Sequence, residues 1–202
     1  KIIICLMTSS QFYTLIKQYF PFTPTAKQDI LLLQLSEFIF KENDNDLFLL
    51  KGYAGTGKTT IIGTIVNNLW QAKKSAVLMA PTGRAAKVIS NYSKKEAFTI
   101  HKKIYFPKKE KGGGVKFSLQ HNKHKNTIFI VDEASMIPDT TSDSKLYANG
   151  SLLDDLIQYV YQGHKCKLLL IGDTAQLPPV KLDISPALDE TNLSLSYNKE
   201  VT

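Results

Sequence analysis

The chain is poor in cysteine, in arginine and in long apolar runs, and each shortage narrows the class of protein. Its two cysteines, Cys5 and Cys166, form no motif, which favours a reducing compartment, with the cytoplasm as the default. No apolar run approaches the roughly 20 residues that a membrane-spanning helix needs. The apolar opening at residues 1–7 is too short for a signal peptide, and no small-residue cleavage site follows it. We therefore expect a globular protein without a membrane partner.

The 202 residues suffice for one sizeable domain, and the net charge of +7 is unevenly spread along them. Residues 84–125 contain twelve basic and two acidic residues, a local balance of +10. The rest of the chain contains thirteen basic and sixteen acidic residues, a balance of −3. Such a basic segment is typical of a protein that binds a polyanion. A solvated lysine-rich surface is the alternative that charge alone leaves open.

The strongest motif is a glycine-rich loop at residues 52–59, which fits the phosphate-loop pattern of Gly, four residues, Gly-Lys and Ser or Thr. An apolar run at 47–50 predicts a buried strand before the loop. The residues after it have the spacing of one helix face, at Ile61, Ile62, Ile65, Val66, Leu69 and Trp70. These flanks disfavour a chance glycine-rich turn, so we expect backbone N–H groups and a helix N-terminus to bind phosphate oxygens. The predicted nucleotide-binding residues of the loop are Gly52, Ala54, Gly55, Thr56, Gly57, Lys58, Thr59 and Thr60.

An acidic pair, Asp132 and Glu133, follows the apolar run at residues 127–131. The chemistry of nucleotide hydrolysis assigns Lys58 to the β- and γ-phosphates, and Thr59 and Asp132 to Mg²⁺. Glu133 is the candidate that orients and deprotonates the attacking water. An acidic turn after a strand is the plain alternative.

The remaining periodicity predicts alternating strands and helices. Further strands are expected at 76–80 and 167–171. Helices are expected at 9–19 with Ser9 or Ser10 as N-cap, from Thr23 as N-cap to about Lys41, at about 85–92, and from Ser151 to a C-cap at Gly163. Apolar runs at 103–106 and 115–119 around a triple glycine predict an inserted β-hairpin, whereas 181–202 has no convincing period. Apolar strands alternating with helices predict an α/β fold with a central parallel sheet covered on both faces.

The loop at residues 172–180 follows the last predicted strand. Its two adjacent prolines make it stiff and would hold Gln176 near the strand end, where a γ-phosphate can be sensed. As a generic proline-rich loop it would have no function, and the residues alone leave both interpretations open.

Taken together, these motifs resemble the first motor domain of superfamily-1 helicases, most closely the RecD-like branch that includes the Dda and Pif families. The similarity extends over residues 22–188. It rests on Phe22-Thr23-Pro24-Thr25-Ala26-Lys27-Gln28, the phosphate loop, Ala80-Pro81-Thr82-Gly83-Arg84-Ala85-Ala86-Lys87, Thr99-Ile100-His101, Val131-Asp132-Glu133-Ala134-Ser135-Met136 and the 172–180 loop.

The resemblance implies a RecA-like phosphate-loop NTPase fold, ATP and Mg²⁺ as cofactors and 5′→3′ movement on single-stranded DNA. It assigns adenine recognition to Gln28 and coupling of the γ-phosphate to DNA to Gln176. It also implies that the hairpin, within about residues 102–126, separates strands. Tyr105, Phe106 and Phe117 would either stack on bases or pack the hairpin to the domain. The implied DNA contacts are Pro81, Thr82, Arg84, Thr99 and His101.

The scarcity of arginine bears on the expected rate of hydrolysis, because Arg84 is the only arginine in the chain. Motors of this type surround the γ-phosphate with arginines worth about 10³–10⁵ in turnover, and the resemblance places them in a second motor domain. We expect residues 1–22 to be a helical extension, 23–202 to be the first motor domain, and the second to be absent. The isolated chain should then bind ATP–Mg²⁺ but hydrolyse it very slowly. The rival functions are a phosphate-loop switch ATPase with a protein partner and a non-enzymatic nucleic-acid-binding module.

Overall fold

A computed structural model describes residues 7–53, 55–109, 115–137, 151–173 and 185–202. Within these residues the helices are α1 (Ser9–Tyr19), α2 (Ala26–Phe40), α3 (Lys58–Asn68), α4 (Gly83–Ser93), α5 (Ile100–Ile104), α6 (Leu152–Tyr161) and α7 (Glu190–Tyr197). The strands are β1 (Asp46–Lys51), β2 (Ser75–Ala80), β3 (Ala97–Thr99), β4 (Tyr105–Lys109), β5 (Val115–Leu119), β6 (Thr127–Val131), β7 (Lys167–Gly172) and β8 (Glu200–Val201).

Six of the strands form one sheet in the order β3-β2-β6-β7-β1-β8, and every neighbouring pair is parallel. β6 and β7 are buried along their whole length, which explains why their sequences are continuous apolar runs. The predicted α/β fold with a parallel sheet is thereby confirmed. The predicted hairpin also forms, because β4 and β5 pair in antiparallel register outside that sheet.

Helices cover both faces of the sheet, and β1 shows how one strand contributes to both sides. Leu47 and Leu49 belong to the core beneath α5, α6 and α7, whereas Phe48 and Leu50 belong to the core beneath α1 to α4. Phe12 of α1 is fully buried in the second of these cores. The first helix therefore shares its hydrophobic core with the nucleotide-binding half of the sheet.

The N-caps of the first two helices differ from the predicted ones. Thr8 caps α1, instead of Ser9 or Ser10, and Thr25 caps α2, instead of Thr23. Each threonine is followed three residues later by a glutamine that bonds back to the threonine N–H, so both helices begin with a capping box. The reciprocal bonds satisfy two backbone donors and outweigh the preference for Pro24 at the first helical position.

Three further expectations are corrected. Lys103 and Ile104 lie in α5, and the strand begins only at Tyr105. Trp70 lies in a 3₁₀ turn (Leu69–Ala72) after α3 and is 68% exposed, because the change of helix type rotates it out of the apolar face. Gly163 does not adopt the left-handed conformation of a C-cap. It provides room instead, since a Cβ there would lie 2.6 Å from both Asn122 Nδ2 and Cys166 Sγ.

The C-terminal region contains structure that the sequence did not predict. A 3₁₀ turn (Pro186–Leu188), α7 and β8 follow one another, and β8 adds a parallel edge strand to β1. α7 buries only Leu193 along its length, so its sequence lacks an apolar period. No helix in the described part of the chain is long and apolar enough to cross a membrane.

Tyr105 and Phe106 begin the hairpin and differ in environment. Tyr105 is 3% exposed in the core, and its hydroxyl donates a hydrogen bond to Asp155 of α6. Phe106 is 46% exposed. Tyr105 therefore attaches the hairpin to the domain, and Phe106 presents an aromatic surface to solvent.

Candidate functional site

The glycine-rich loop joins the carboxyl end of β1 to the N-terminus of α3. Gly55 and Gly57 have φ values of +78° and +85°, which a residue with a side chain rarely adopts. Gly57 is the N-cap of α3, so the helix begins at Lys58 with its first N–H groups directed toward the loop. Partial positive charge at this helix end favours an anion.

Lys58 folds back over this loop. Its ammonium donates hydrogen bonds to the backbone carbonyls of Gly52 and Tyr53, the latter at 2.7 Å. Thr56 Oγ1 donates to the same Tyr53 carbonyl at 2.9 Å. These bonds hold the cation beside the loop, where a phosphate oxygen would compete with neutral carbonyls for the ammonium and gain a charge-assisted bond.

Gln28 connects the start of α2 to the same loop. Its side-chain carbonyl accepts from Thr25 N–H at 3.0 Å, and its Nε2 donates to the Thr56 carbonyl at 3.3 Å. A Cβ at Gly57 would lie 2.5 Å from Nε2, so Gln28 packs where only glycine leaves space. The side chain that was predicted to recognise adenine is thus in direct contact with the phosphate loop.

The acidic pair lies at the carboxyl end of β6. Asp132 N–H donates to the Met79 carbonyl of β2 at 3.0 Å, which continues the sheet by one residue. Asp132 Oδ1 accepts from Glu133 N–H at 2.9 Å, and Glu133 has a φ of +56°, which is left-handed backbone. Non-glycine residues adopt left-handed backbone mostly where the surrounding structure enforces that conformation, and active sites are frequent examples.

Tyr92 is a site residue that the sequence analysis missed. It lies near the end of α4, and its hydroxyl donates to Asp132 Oδ2 at 2.9 Å. Burial, followed by the charge of Asp132 and its hydrogen bond, raises the pKa of Tyr92 above its usual value, so the hydroxyl stays protonated and donates. No motif contains this residue, and only the folded contact between α4 and β6 identifies it.

These groups meet in one pocket of about 390 Å³ at the carboxyl edge of the sheet. Its polar lining includes Gly55, Thr56, Gly57, Lys58, Thr59, Tyr92, Asp132, Glu133 and Asp173. Of the other predicted nucleotide-binding residues, Gly52 and Gln28 do not line the pocket but bond to loop residues, since the Gly52 carbonyl accepts from Lys58 and Gln28 Nε2 donates to Thr56. Thr60 lines the adjacent groove with Thr59. Ala54 and Gln176 lie outside the described residues.

The donor set of the pocket fits a magnesium ion that is shared with a nucleotide. Thr59 and Asp132 offer hard oxygen atoms, and Mg²⁺ is usually held by one or two protein oxygens together with phosphates and water. Within the described ranges, no group of three or more His, Cys, Asp or Glu side chains is arranged to bind a metal by itself. The described side chains of this pocket therefore do not form a metal site without a nucleotide.

The predicted DNA contacts lie at or just after the carboxyl ends of two neighbouring strands, β2 and β3. Ala80 pairs with Thr99, so the segments that follow β2 and β3 start side by side. Thr82 caps α4 by accepting from Ala85 N–H at 3.2 Å, and Thr99 caps α5 by accepting from Lys102 N–H at 3.2 Å. Pro81 lies beside Thr82 and is half-buried, and Arg84 is exposed. His101 is half-buried, and its burial lowers its pKa.

A parallel sheet with a phosphate loop after β1 and an acidic pair after β6, on the other side of β7, defines a phosphate-loop NTPase fold. Comparison with known families agrees, because the AAA domain family AAA_19 matches residues 36–182. The chain is 31% identical over 138 residues to the ATP-dependent RecD2 DNA helicase of Deinococcus radiodurans, covering 66% of this chain and 16% of that protein. It is 32% identical over 135 residues to the ATP-dependent DNA helicase Dda of Enterobacteria phage T4, covering 65% and 28% respectively.

Among solved structures, the large terminase of bacteriophage HK97 superposes with a TM-score of 0.51 at 14% identity. That alignment covers 82% of this chain and 38% of the terminase, and it supports the fold. The chain belongs to the AAA_19 family and is similar in sequence to superfamily-1 helicases of the RecD and Dda type. It spans about a third or less of the length of the curated relatives that it matches.

Proposed function

We propose that the chain is the ATP-binding motor domain of an ATP-dependent DNA helicase or translocase that acts on single-stranded DNA. The observation that carries the proposal is the pocket in which Lys58 of the phosphate loop lies together with Asp132 and Glu133. A fixed cation, a candidate metal-binding carboxylate and a candidate base around one pocket are the parts that phosphoryl transfer requires.

The predicted catalytic, nucleotide-binding and metal-binding residues have separate proposed roles. The N–H groups from Gly55 to Thr59 surround the phosphates, and Lys58 exchanges its carbonyl partners for the β- and γ-phosphate oxygens. Thr59 and Asp132 hold Mg²⁺, which when bound neutralises charge on the phosphates. Glu133 orients the attacking water and accepts its proton. Gln28 recognises adenine, and Gln176 couples the γ-phosphate to DNA.

Single-stranded DNA is the proposed partner. The placement of Pro81, Thr82, Arg84, Thr99 and His101 at the ends of two adjacent strands supports a continuous contact along that edge. The exposed Phe106 supports base stacking by the hairpin. Movement in the 5′→3′ direction and strand separation by the hairpin rest on the helicase resemblance alone. The proposed cytoplasmic compartment rests on the cysteine content.

A second motor domain is proposed to complete the site. Arg84 is the only arginine and does not line the nucleotide pocket, so the described part of the pocket offers Lys58 as its cation. Arginines near a γ-phosphate are worth about 10³–10⁵ in turnover. The 202-residue chain should therefore bind ATP–Mg²⁺, turn it over very slowly and fail to unwind duplex.

The Glu133→Gln variant of the full-length protein tests the proposed hydrolytic role. The amide keeps the size of the side chain but cannot accept a proton, so nucleotide binding should persist while turnover falls by about 10²–10⁴-fold. Binding of a fluorescent ATP analogue and phosphate release are the two measurements. Wild-type turnover in the variant would remove Glu133 from its role. Rapid DNA-stimulated turnover by the isolated chain would disprove the need for a second domain.

A further inference from the structure

A second concave site lies beside β3, the edge strand of the sheet, on the side that carries α5 and α6. We call it the β3-edge pocket. It has a volume of about 470 Å³ and is lined by Phe98, Lys102, Lys103, Gln120, His121, Lys123, His124 and Tyr159. Three lysines and two histidines thus face one space, and neither the nucleotide pocket nor the predicted DNA contacts include any of them.

Phe98 and α5 position two of the lysines. α5 begins immediately after β3, with its first turn held by the Thr99 cap, so Lys102 and Lys103 lie one turn from the strand end. Their ammonium nitrogens are 5.9 Å and 5.0 Å from the centroid of the Phe98 ring. Cation–π attraction at these distances favours a directed ammonium over a freely moving one.

The loop of residues 120–124 supplies the opposite wall and is held at both ends. Gln120 N–H donates to the Ile104 carbonyl at 2.7 Å. Asn122 is 3% exposed, and its amide donates to the carbonyls of Tyr159 and Val160 at 2.9 and 3.1 Å while accepting from His124 N–H. These bonds fix the backbone that presents His121 and Lys123 to solvent. The small size of Gly163 is what allows Asn122 to fit there.

The positive charge of the β3-edge pocket is not neutralised by the described side chains. No carboxylate lines the pocket, and none of those described lies within 4.0 Å of the ammonium groups of Lys102, Lys103 or Lys123. Glu96 acts on Lys103 only through its more distant charge. Lysines that converge on a concave, partly preformed surface create a local positive potential that attracts an anion.

We propose that the β3-edge pocket binds the phosphodiester backbone of a nucleic-acid strand, beyond the contacts of Thr99 and His101. The proposal rests on the proposed function, because it takes those two residues to bring nucleic acid to this edge. Lys102 follows His101 directly, so a strand that passes His101 toward the base of the hairpin reaches the pocket. The phosphates can belong to the same single strand or to the second strand of a fork, and the test separates these sources.

The test variant combines Lys102→Gln, Lys103→Gln and Lys123→Gln. The matched control combines Lys73→Gln, Lys74→Gln and Lys165→Gln, which removes the same charge from another lysine-lined pocket, where Lys74 lies 5.6 Å from the Phe40 ring. Fluorescence anisotropy measures binding of a labelled strand of about 15 nucleotides and of a fork that contains it. Each titration is repeated from about 50 to about 200 mM salt, where counterion release dominates.

On the single strand, we expect the slope of the logarithm of the binding constant against the logarithm of the salt concentration to be smaller in magnitude by about 2 in the test variant, because each lost phosphate contact contributes about 0.7. The slope of the control variant should change little. A reduced slope on both substrates assigns the pocket to the tracking strand. A reduction on the fork alone assigns it to the second strand. Equal slopes in the test and control variants would overturn the proposal, and the single variant Lys123→Gln, on an exposed loop, decides the matter if the triple variant unfolds.

Binding of a fluorescent ATP analogue separates this inference from the proposed function. Neither triple variant should change nucleotide affinity, because their residues do not line the nucleotide pocket. If the unaltered protein binds no nucleotide, the motor proposal is wrong while the anisotropy result still decides the β3-edge pocket. If nucleotide binds normally and the slopes do not differ, only the pocket proposal is wrong.

Discussion

At the scale of single residues, the geometry of the proposed metal ligand depends on two neighbours. Asp132 accepts one hydrogen bond from the Tyr92 hydroxyl and one from the Glu133 N–H, so both carboxylate oxygens have a fixed direction. Groups that orient a metal ligand are typically worth 10- to 100-fold in metal affinity. Tyr92 therefore acts on the proposed Mg²⁺ site through Asp132, as a positioning residue.

We predict that Tyr92→Phe raises the Mg²⁺ concentration needed for half-maximal binding of fluorescent ADP by about 10- to 100-fold. Nucleotide binding without metal should be unchanged. Tyr197→Phe is the matched control, because the Tyr197 hydroxyl also bonds to an aspartate, Asp154 at 2.6 Å, away from the nucleotide pocket. The same Mg²⁺ dependence in both variants would show that Tyr92 has only a structural role.

A second residue-scale prediction concerns Gly57. An alanine there would have to adopt a φ of +85° and place its Cβ 2.5 Å from Gln28 Nε2, so the loop must move. Left-handed backbone alone costs about 1–2 kcal/mol for a residue with a side chain. Gly57→Ala should therefore weaken nucleotide binding by about 10-fold or more.

Gly83→Ala is the control for Gly57→Ala in an equilibrium titration with the fluorescent nucleotide. Gly83 begins α4, and a Cβ at this position would meet no described atom within 4 Å beyond its own helix backbone and chain neighbours. Its replacement should leave nucleotide affinity unchanged and stabilise the helix slightly. Equal nucleotide affinity in the two variants would contradict the proposed phosphate-binding conformation of the loop.

At the scale of elements, a buried lysine joins α2 to the start of the sheet. Lys167 of β7 is 5% exposed, and its ammonium donates to the carbonyls of Phe38 and Lys41 at 2.7 and 2.6 Å. It also lies 3.4 Å from Asp46 Oδ2, and Asp46 is fully buried. Burial lowers the pKa of Lys167, so the hydrogen bonds at the end of α2 are what make the buried charge tolerable.

Replacing this lysine should destabilise the fold strongly. Lys167→Ala removes partners from buried carbonyls and from Asp46, and losses of about 3–5 kcal/mol are typical when one member of a buried pair is removed. Lys51→Ala is the control, because it breaks the Lys51–Glu190 pair at the surface, where a loss below about 1 kcal/mol is expected. Urea unfolding measures both, and equal losses would contradict this account of α2.

The elements also show how far the sequence predicts the structure. Strands such as 127–131 and 167–171 were predictable because burial on both faces requires an uninterrupted apolar run. α7 was not, since one buried leucine gives no period. The phosphate loop and Asp132 were predictable because their chemistry restricts residue type and spacing. Tyr92 was not, because its role arises from a contact between residues 40 positions apart.

At the scale of the whole molecule, the proposed nucleotide site and the proposed DNA contacts both lie at the carboxyl ends of the strands of the sheet. Thr82 caps α4 and Arg84 lies in its first turn, and both are predicted DNA contacts. Near the other end of α4, Tyr92 bonds to Asp132 in the nucleotide pocket. A single helix thus spans from the proposed DNA surface to the proposed metal ligand. This arrangement supports a motor in which occupancy of one site changes the other.

The most direct test of the motor proposal is ATP turnover by the full-length protein without nucleic acid, with single-stranded DNA and with duplex DNA. We predict strong stimulation by single strands and much less by duplex, and arginines supplied by a second domain can account for up to about 10³–10⁵ of the stimulated rate. Turnover that is indifferent to nucleic acid would contradict the motor proposal. A switch ATPase with a protein partner would then be the better description of this domain.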